Sequence, residues 1–408
     1  MPRHHYPGWF TQSWPESRFN AMRHAGDPLA DSTVEVLFKR GDREMVNQVL
    51  RHLHQPGEWP SDTPIELQAY LAASQTLPSW ADTATLDRAY RFIDTHGVRY
   101  NIVLLFLSLP ILYAWKIGGA QTLAMTGQLS EHFLRRVSET LRFVRDVIAE
   151  DGLGPQGRGI RTTQKVRLMH ATIRHFAQSA RCPGDKDYWN PQWGVPISQE
   201  ALTATMLAFS TIAAGGLRKL NVPVTRQEES DLLHLWKVIG HVLGIVDANM
   251  PANVEEAHLL WNRFDDRNFG ASQAGRLLTA AHLEFISKLA HGDALLHEAL
   301  RGTDAALMRY LMGYRIAVTM LDVPRPGIWG LMITFTRLLF GLTERLVDTS
   351  EPLQQWLDHN AEKLWAALQA FWNSQAAPRP FAVPSEQQAE QGLQEMCALN
   401  ARDSHTAH

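Results

Sequence analysis

The chain has 408 residues, 45% of them apolar and 20% charged, which is enough for one large folded domain or two ordinary ones. A net charge of −3 excludes the basic footprint that a nucleic-acid binder needs. Only two cysteines are present, Cys182 and Cys397, far apart in sequence, which excludes a disulfide scaffold, a Cys-rich zinc module and Cys-x-x-Cys-His haem attachment and fits a reducing compartment.

Helical periodicity dominates, with no sustained alternation and no Asn-Gly hairpin signal. The segment Met1 to Gly8 has no apolar signal core behind its basic residue, so a cytoplasmic location is expected. Up to Asp62, polar Trp- and Pro-rich pieces surround short helices. The spacing predicts helices over 64–75 and 83–95, separated by Leu77-Pro78-Ser79-Trp80-Ala81-Asp82. A more apolar helix over 99–115 follows. Its run from Ile102 to Trp115 holds Pro110 and is shorter than the ~20 residues of a membrane span, so no integral span is expected.

Gly118-Gly119 and Thr126-Gly127 bracket a short helix over 121–125. Long helices are predicted over 130–150 and 161–178, then a loop over 182–196 with Tyr188, Trp189 and Trp193. Ser198 is the expected N-cap of a helix over 199–214. The helix over 228–246 carries Gly240 and Gly244, which permit close packing. Further helices fall at 254–264, 275–291, 304–321, 329–344 and 354–372, before a polar tail opened by Ala376-Ala377-Pro378-Arg379-Pro380. With no repeat and no internal linker, the expected architecture is all-α: one large helical domain over 1–373 and a tail over 374–408.

Two helices carry candidate chemistry. At ~100° per residue, Phe133, Val137, Leu141, Val144 and Ile148 form a core stripe of the helix over 130–150. Arg135, Ser138, Arg142, Arg145 and Asp146 lie opposite, on the expected solvent face. His132, Arg136, Glu139, Thr140 and Phe143 form a third stripe at the core's edge, which is either a pocket wall or a solvated flank with an Arg136–Glu139 ion pair. In the helix over 161–178, His170 lies between an apolar arc (Val166, Met169, Ile173, Phe176, Ala177) and a cationic arc (Arg167, Arg174). Haem needs such a boundary: imidazole for iron, apolar cover for the ring, arginine for the propionates. A partly buried histidine with no special role fits the same pattern. Glu255-x-x-His258 is half of a di-iron carboxylate pattern with no second copy. No His-Glu-x-x-His motif, phosphate loop or nucleophile elbow is present.

The motifs taken in order resemble a known family. Leu77 to Asp82, Leu109-Pro110 with Tyr113, Thr126-Gly127-x-Leu129, Arg136-x-x-Glu139-Thr140 and Val166-Arg167-Leu168-Met169-His170-Ala171 are similar to the oxygenase family of latex-clearing proteins and the mycophenolate-pathway oxygenase. Trp193-Gly194-x-Pro196-Ile197-Ser198-Gln199 and the helix with Gly240 and Gly244 continue the likeness, which spans roughly Leu77 to Phe264. The resemblance implies a globin-like helical core around non-covalent haem b, and cleavage of carbon–carbon double bonds in polyisoprene or a prenyl chain with dioxygen. By position it makes His170 the proximal iron ligand, and Arg136 and Thr140 pocket residues for haem binding or activity. Glu139 stands where relatives can place a lysine ligand, which leaves the iron five-coordinate, water-bound, or ligated by His132 or His241. The family's glutamate base has no counterpart between Gly118 and Met125.

The expected function is therefore a haem b-dependent oxygenase acting with O2 on an apolar unsaturated substrate, isoprenoid or lipid-like. Arg136, Glu139 and Thr140 would be its catalytic residues, and His170, Arg167 and Arg174 would bind cofactor with Arg136 and Thr140. The alternative is a helical protein that binds haem or an apolar ligand without catalysis. The oligomeric state stays open.

Overall fold

The computed structural model describes residues 13–40, 63–125, 131–154, 157–182, 186–289, 303–325 and Cys397. The helices expected over 329–344 and 354–372, the 373/374 boundary and the tail lie outside them, apart from Cys397. So do residues 126–130, with the Thr126-Gly127 motif, and the side chain of His132.

In chain order the helices are α1 (Glu16–Arg23), α2 (Pro28–Lys39), α3 (Ile65–Ala73), α4 (Thr83–Val103), α5 (Gly119–Met125), α6 (Glu131–Ile148), α7 (Arg158–Ser179), α8 (Gln199–Phe209), α9 (Thr211–Lys219), α10 (Arg226–Val242), α11 (Val254–Asn268), α12 (Gln273–Leu289) and α13 (Thr303–Met312). The fold is all-helical and forms a single domain, as composition and periodicity predict. Side chains satisfy the first-turn amides. Asp27 accepts from Ala30 N–H at 3.4 Å, Asp82 from Thr85 N–H at 2.8 Å and Ser198 from Ala201 N–H at 3.4 Å, while Thr225 and Glu228 close a capping box on α10.

The expected division between 83–95 and 99–115 does not occur. The helix runs on through His96-Gly97-Val98, because an interior glycine costs only ~1 kcal/mol and His96 and Tyr100 bury the same face. At Leu104–Ser108 the helix widens into a π turn, in which Leu109 N–H reaches the Leu104 carbonyl five residues back. It then closes through Leu109–Ile111 and a 3₁₀ turn at Leu112–Ala114. Two other expected helices also divide. Ser210 back-bonds to the Met206 carbonyl at 2.9 Å and separates α8 from α9. Gly313, at φ 81°, ends α13 ahead of a π turn at Arg315–Met320.

The expected loop over 182–196 contains a small antiparallel ribbon, Arg181–Cys182 with Lys186–Asp187. Cys182 is disulfide-bonded to Cys397, with Cα atoms 5.9 Å apart. This corrects the reading drawn from their sequence separation, since chain distance does not report spatial distance. The helices surround one main core, and α10 packs along α4 and against α8. A smaller core joins α2, α3 and α7 through Val34, Leu37, Leu67, Tyr70 and Leu168. Among the described residues, two helical stretches, 83–114 and 199–219, are long and apolar enough to cross a bilayer, and both are mostly buried inside the fold.

Candidate functional site

The site is built on α6 and α7, which pack against each other. On α6 the predicted core stripe is buried at Val137, Leu141 and Val144. Asp146, expected in solvent, is buried instead, because it accepts from Thr162 Oγ1 on α7 at 2.9 Å and lies 3.3 Å from Arg145 Nη2. Arg136, Glu139, Thr140 and Phe143 each retain some accessible surface. Thr140 Oγ1 donates to the Arg136 carbonyl at 2.9 Å. The Arg136 guanidinium turns inward, donates to the Leu123 carbonyl of α5 and hydrogen-bonds the Tyr113 hydroxyl. Burial lowers its pKa from the ordinary arginine value.

Helix α7 buries two of its arginines and leaves one apolar arc partly accessible. Its cations Arg167 and Arg174 are buried, while Val166, Met169, His170 and Ile173 keep accessible surface. Desolvation, with a smaller contribution from Arg174, pushes the His170 pKa down to about 3. The ring keeps some accessible surface. It is neutral near pH 7, the form that ligates metal.

The two buried arginines have different partners. Arg167 pairs bidentately with Asp27 at the start of α2, at 2.5 and 2.9 Å, and donates to the Val242 carbonyl at 3.2 Å. Gly244, at φ 95°, is what lets the backbone pass this pair: a Cβ there would lie 2.4 Å from Asp27 Oδ2. Arg174 donates from Nε to Asp31 at 2.7 Å and from Nη1 to the Ile197 carbonyl at 3.1 Å. Ile197 holds a left-handed backbone at φ 51°, an uncommon state for a β-branched residue. Arg174 Nη2 is buried with no hydrogen-bond partner among the described residues.

The structure thus brings Arg136 and Thr140 together on α6, and His170 and Arg174 on α7. Arg167 is drawn into the fold's framework by Asp27. His241 lies near the surface, with its Nδ1 2.6 Å from Asp247 Oδ1 and its ring edge-on to Trp80. Sequence reasoning missed Asp27 and Asp31, whose four-residue spacing at a helix start was the available signal. It also missed His282 on α12, 3.0 Å from the Tyr113 hydroxyl, which no local pattern marks.

These residues fit a haem. A neutral imidazole beside partly accessible apolar side chains can meet iron and ring, and a buried guanidinium N–H with no acceptor among the described residues can meet a carboxylate. Among the described residues, no group of three or more His, Cys, Asp or Glu side chains is arranged to hold a bare metal ion.

The family described as ER-bound oxygenase mpaB/B'/Rubber oxygenase, catalytic domain, matches residues 96–345. The rubber oxygenase of Streptomyces sp. (strain K30) is 26% identical over 368 residues, which are 88% of this chain and 82% of that protein. The solved structure of the latex clearing protein LCP in the closed state aligns with a TM-score of 0.66 at 25% identity, covering 86% of this chain and 90% of that one.

Proposed function

As the chain belongs to the family of mpaB and rubber oxygenase catalytic domains and is an oxygenase, we propose that it acts with haem b and dioxygen on an apolar, unsaturated substrate. The observation that carries this is the apolar arc of α7, which stays partly accessible beside a neutral histidine while Arg167 and Arg174 are buried. Only an apolar partner gains by covering such a face. Family membership in an oxygenase class also sets aside the non-catalytic alternative.

In this reading His170 holds the iron and Arg174 Nη2 takes a propionate. Haem, when bound, supplies the electron chemistry that dioxygen requires. The remaining work belongs to the side chains. Arg136 presents a fixed positive charge in a desolvated setting, where it stabilises developing negative charge far better than it would in water. Thr140, turned back to the helix carbonyl, narrows the wall beside it. Glu139, on the same face of α6, is the carboxylate we assign to removing an allylic proton and returning it as the two carbonyl products form, a role for which the Gly118 to Met125 stretch offers no acid. Accessible apolar side chains such as Phe143, Met169 and Ile173 exclude water from the reacting carbons.

The expected reaction is cleavage of a carbon–carbon double bond. Both atoms of O2 end as carbonyl oxygens on the separated carbons, so the overall change balances with no added reductant. The relatives' names make polyisoprene the first substrate to try, followed by shorter prenyl chains. Oxygen uptake matched by new aldehyde or ketone ends would support the proposal. Glu139→Gln is expected to keep haem and to lower turnover about 10²- to 10⁴-fold. Wild-type turnover in that variant would remove the base assignment.

A further inference from the structure

His282 is fully buried on α12, and both of its ring nitrogens are engaged. Its Nε2 lies 2.9 Å from the Leu105 carbonyl and its Nδ1 3.0 Å from the Tyr113 hydroxyl. The proton positions follow from the partners. A carbonyl can only accept, so Nε2 carries the hydrogen. Burial pushes the ring pKa down to about 4, so near neutral pH there is only one ring proton, and Nδ1 must accept. Tyr113 O–H therefore donates to Nδ1, and its oxygen lone pairs turn to the Arg136 guanidinium, to which it is hydrogen-bonded.

The sequence explains why the Leu105 carbonyl is available. In the π register, Leu109 N–H is used by the Leu104 carbonyl. The next donor in that register belongs to residue 110, which is proline and has no N–H. Histidine on α12 supplies the missing donor. The chain Arg136 to Tyr113 to His282 to Leu105 thus has every donor pointing the same way, an arrangement in which each bond polarises the next.

From this geometry we infer that His282 is a positioning residue for Arg136, acting through Tyr113 and anchored by the carbonyl that Pro110 leaves open. This rests on the reading that Arg136 faces the reacting ligand. A fixed tautomer gives the Tyr113 oxygen one orientation, and that in turn holds the guanidinium between Tyr113 and the Leu123 carbonyl. The reverse tautomer would set the ring's lone pair against the Leu105 carbonyl and leave Tyr113 O–H without its acceptor.

The test uses full-length protein labelled with ¹⁵N at histidine and arginine, first without haem. His282 is expected to show the Nε2–H tautomer, unchanged between about pH 6 and 8. Tyr113→Phe and His282→Phe are each expected to move the Arg136 side-chain resonance, and the double variant to move it no further than Tyr113→Phe alone. If His282→Phe does not fold, Tyr113→Phe and His282→Gln carry the same comparison. An Nδ1–H tautomer, or an Arg136 signal indifferent to both positions, overturns the inference. In protein loaded with haemin, Tyr113→Phe is further expected to weaken azide binding about 10-fold while leaving haem content unchanged. Equal azide affinity overturns the link to the ligand. Because the nitrogen signals are read without haem, failure to take up haemin counts against the cofactor reading alone.

Discussion

His282 shows how burial converts a titratable side chain into a fixed polar fitting. Its folded pKa of about 4 lies below the ordinary value of 6.5, so the unfolded chain binds the extra proton more readily than the folded one. The histidine therefore costs no stability above pH 6.5, and stability falls as pH drops from 6.5 towards 4. The slope within that window is roughly 1.4 kcal/mol per pH unit. Urea unfolding of haem-free protein at pH 7 and pH 5 checks this, with His282→Phe expected to reduce the difference by its share, since His170 with a pKa of about 3 adds the same slope. At this scale the setting of His170 was legible, because a histidine between an apolar and a cationic arc is visible on a helical wheel. Asp27 and Asp31 show only as a spacing at a helix start and His282 by no local pattern, since they reach α7 and Tyr113 from α2 and α12 and only the fold brings them there.

At the level of elements, α7 carries the argument. Its arginines point into protein because α2 offers two aspartates four residues apart, Asp27 and Asp31, one for each cation. Docking α2 on α7 in this way frees the apolar arc for another partner. Breaking the enclosed pair should be costly, because the remaining cation loses its compensation. Asp27→Asn is expected to destabilise the fold by about 3–5 kcal/mol, read as a lowered unfolding midpoint. A change below ~1 kcal/mol would show that α2 is not held through Arg167. Helix positions followed from periodicity with good agreement, whereas the breaks did not. Gly97 looked like a boundary and is helical, while Ser210 and Gly313 looked helical and are boundaries. Propensity is too weak to decide such points against the burial of His96 and Tyr100 on one side or a side-chain back-bond on the other.

Across the whole molecule, the Cys182–Cys397 disulfide joins the ribbon after α7 to a residue near the end of the chain, 215 positions away. A cross-link closing so long a loop restricts the unfolded chain strongly, by up to ~5 kcal/mol in the chain-entropy account. Thiol titration of native protein is expected to find no free cysteine, and dithiothreitol or Cys182→Ser to lower the melting temperature. Two titratable thiols with unchanged melting would contradict the pairing. Such a pairing is the form cysteines take in an oxidising setting, whereas the cysteine count alone fits a reducing one. The overall class was legible because ordered motifs over nearly 200 residues carry family information that no single motif holds, and the family match at residues 96–345 bears this out.

We propose that this fold holds one haem b on His170. The most direct measurement is the absorption spectrum of the purified protein, oxidised and dithionite-reduced, with a pyridine haemochrome assay on wild type and His170→Ala. The account predicts a Soret band and close to one b-type haem per chain in the wild type, with haem largely lost in the variant. A wild-type protein that stays colourless after added haemin, or a variant with an unaltered spectrum, would contradict it.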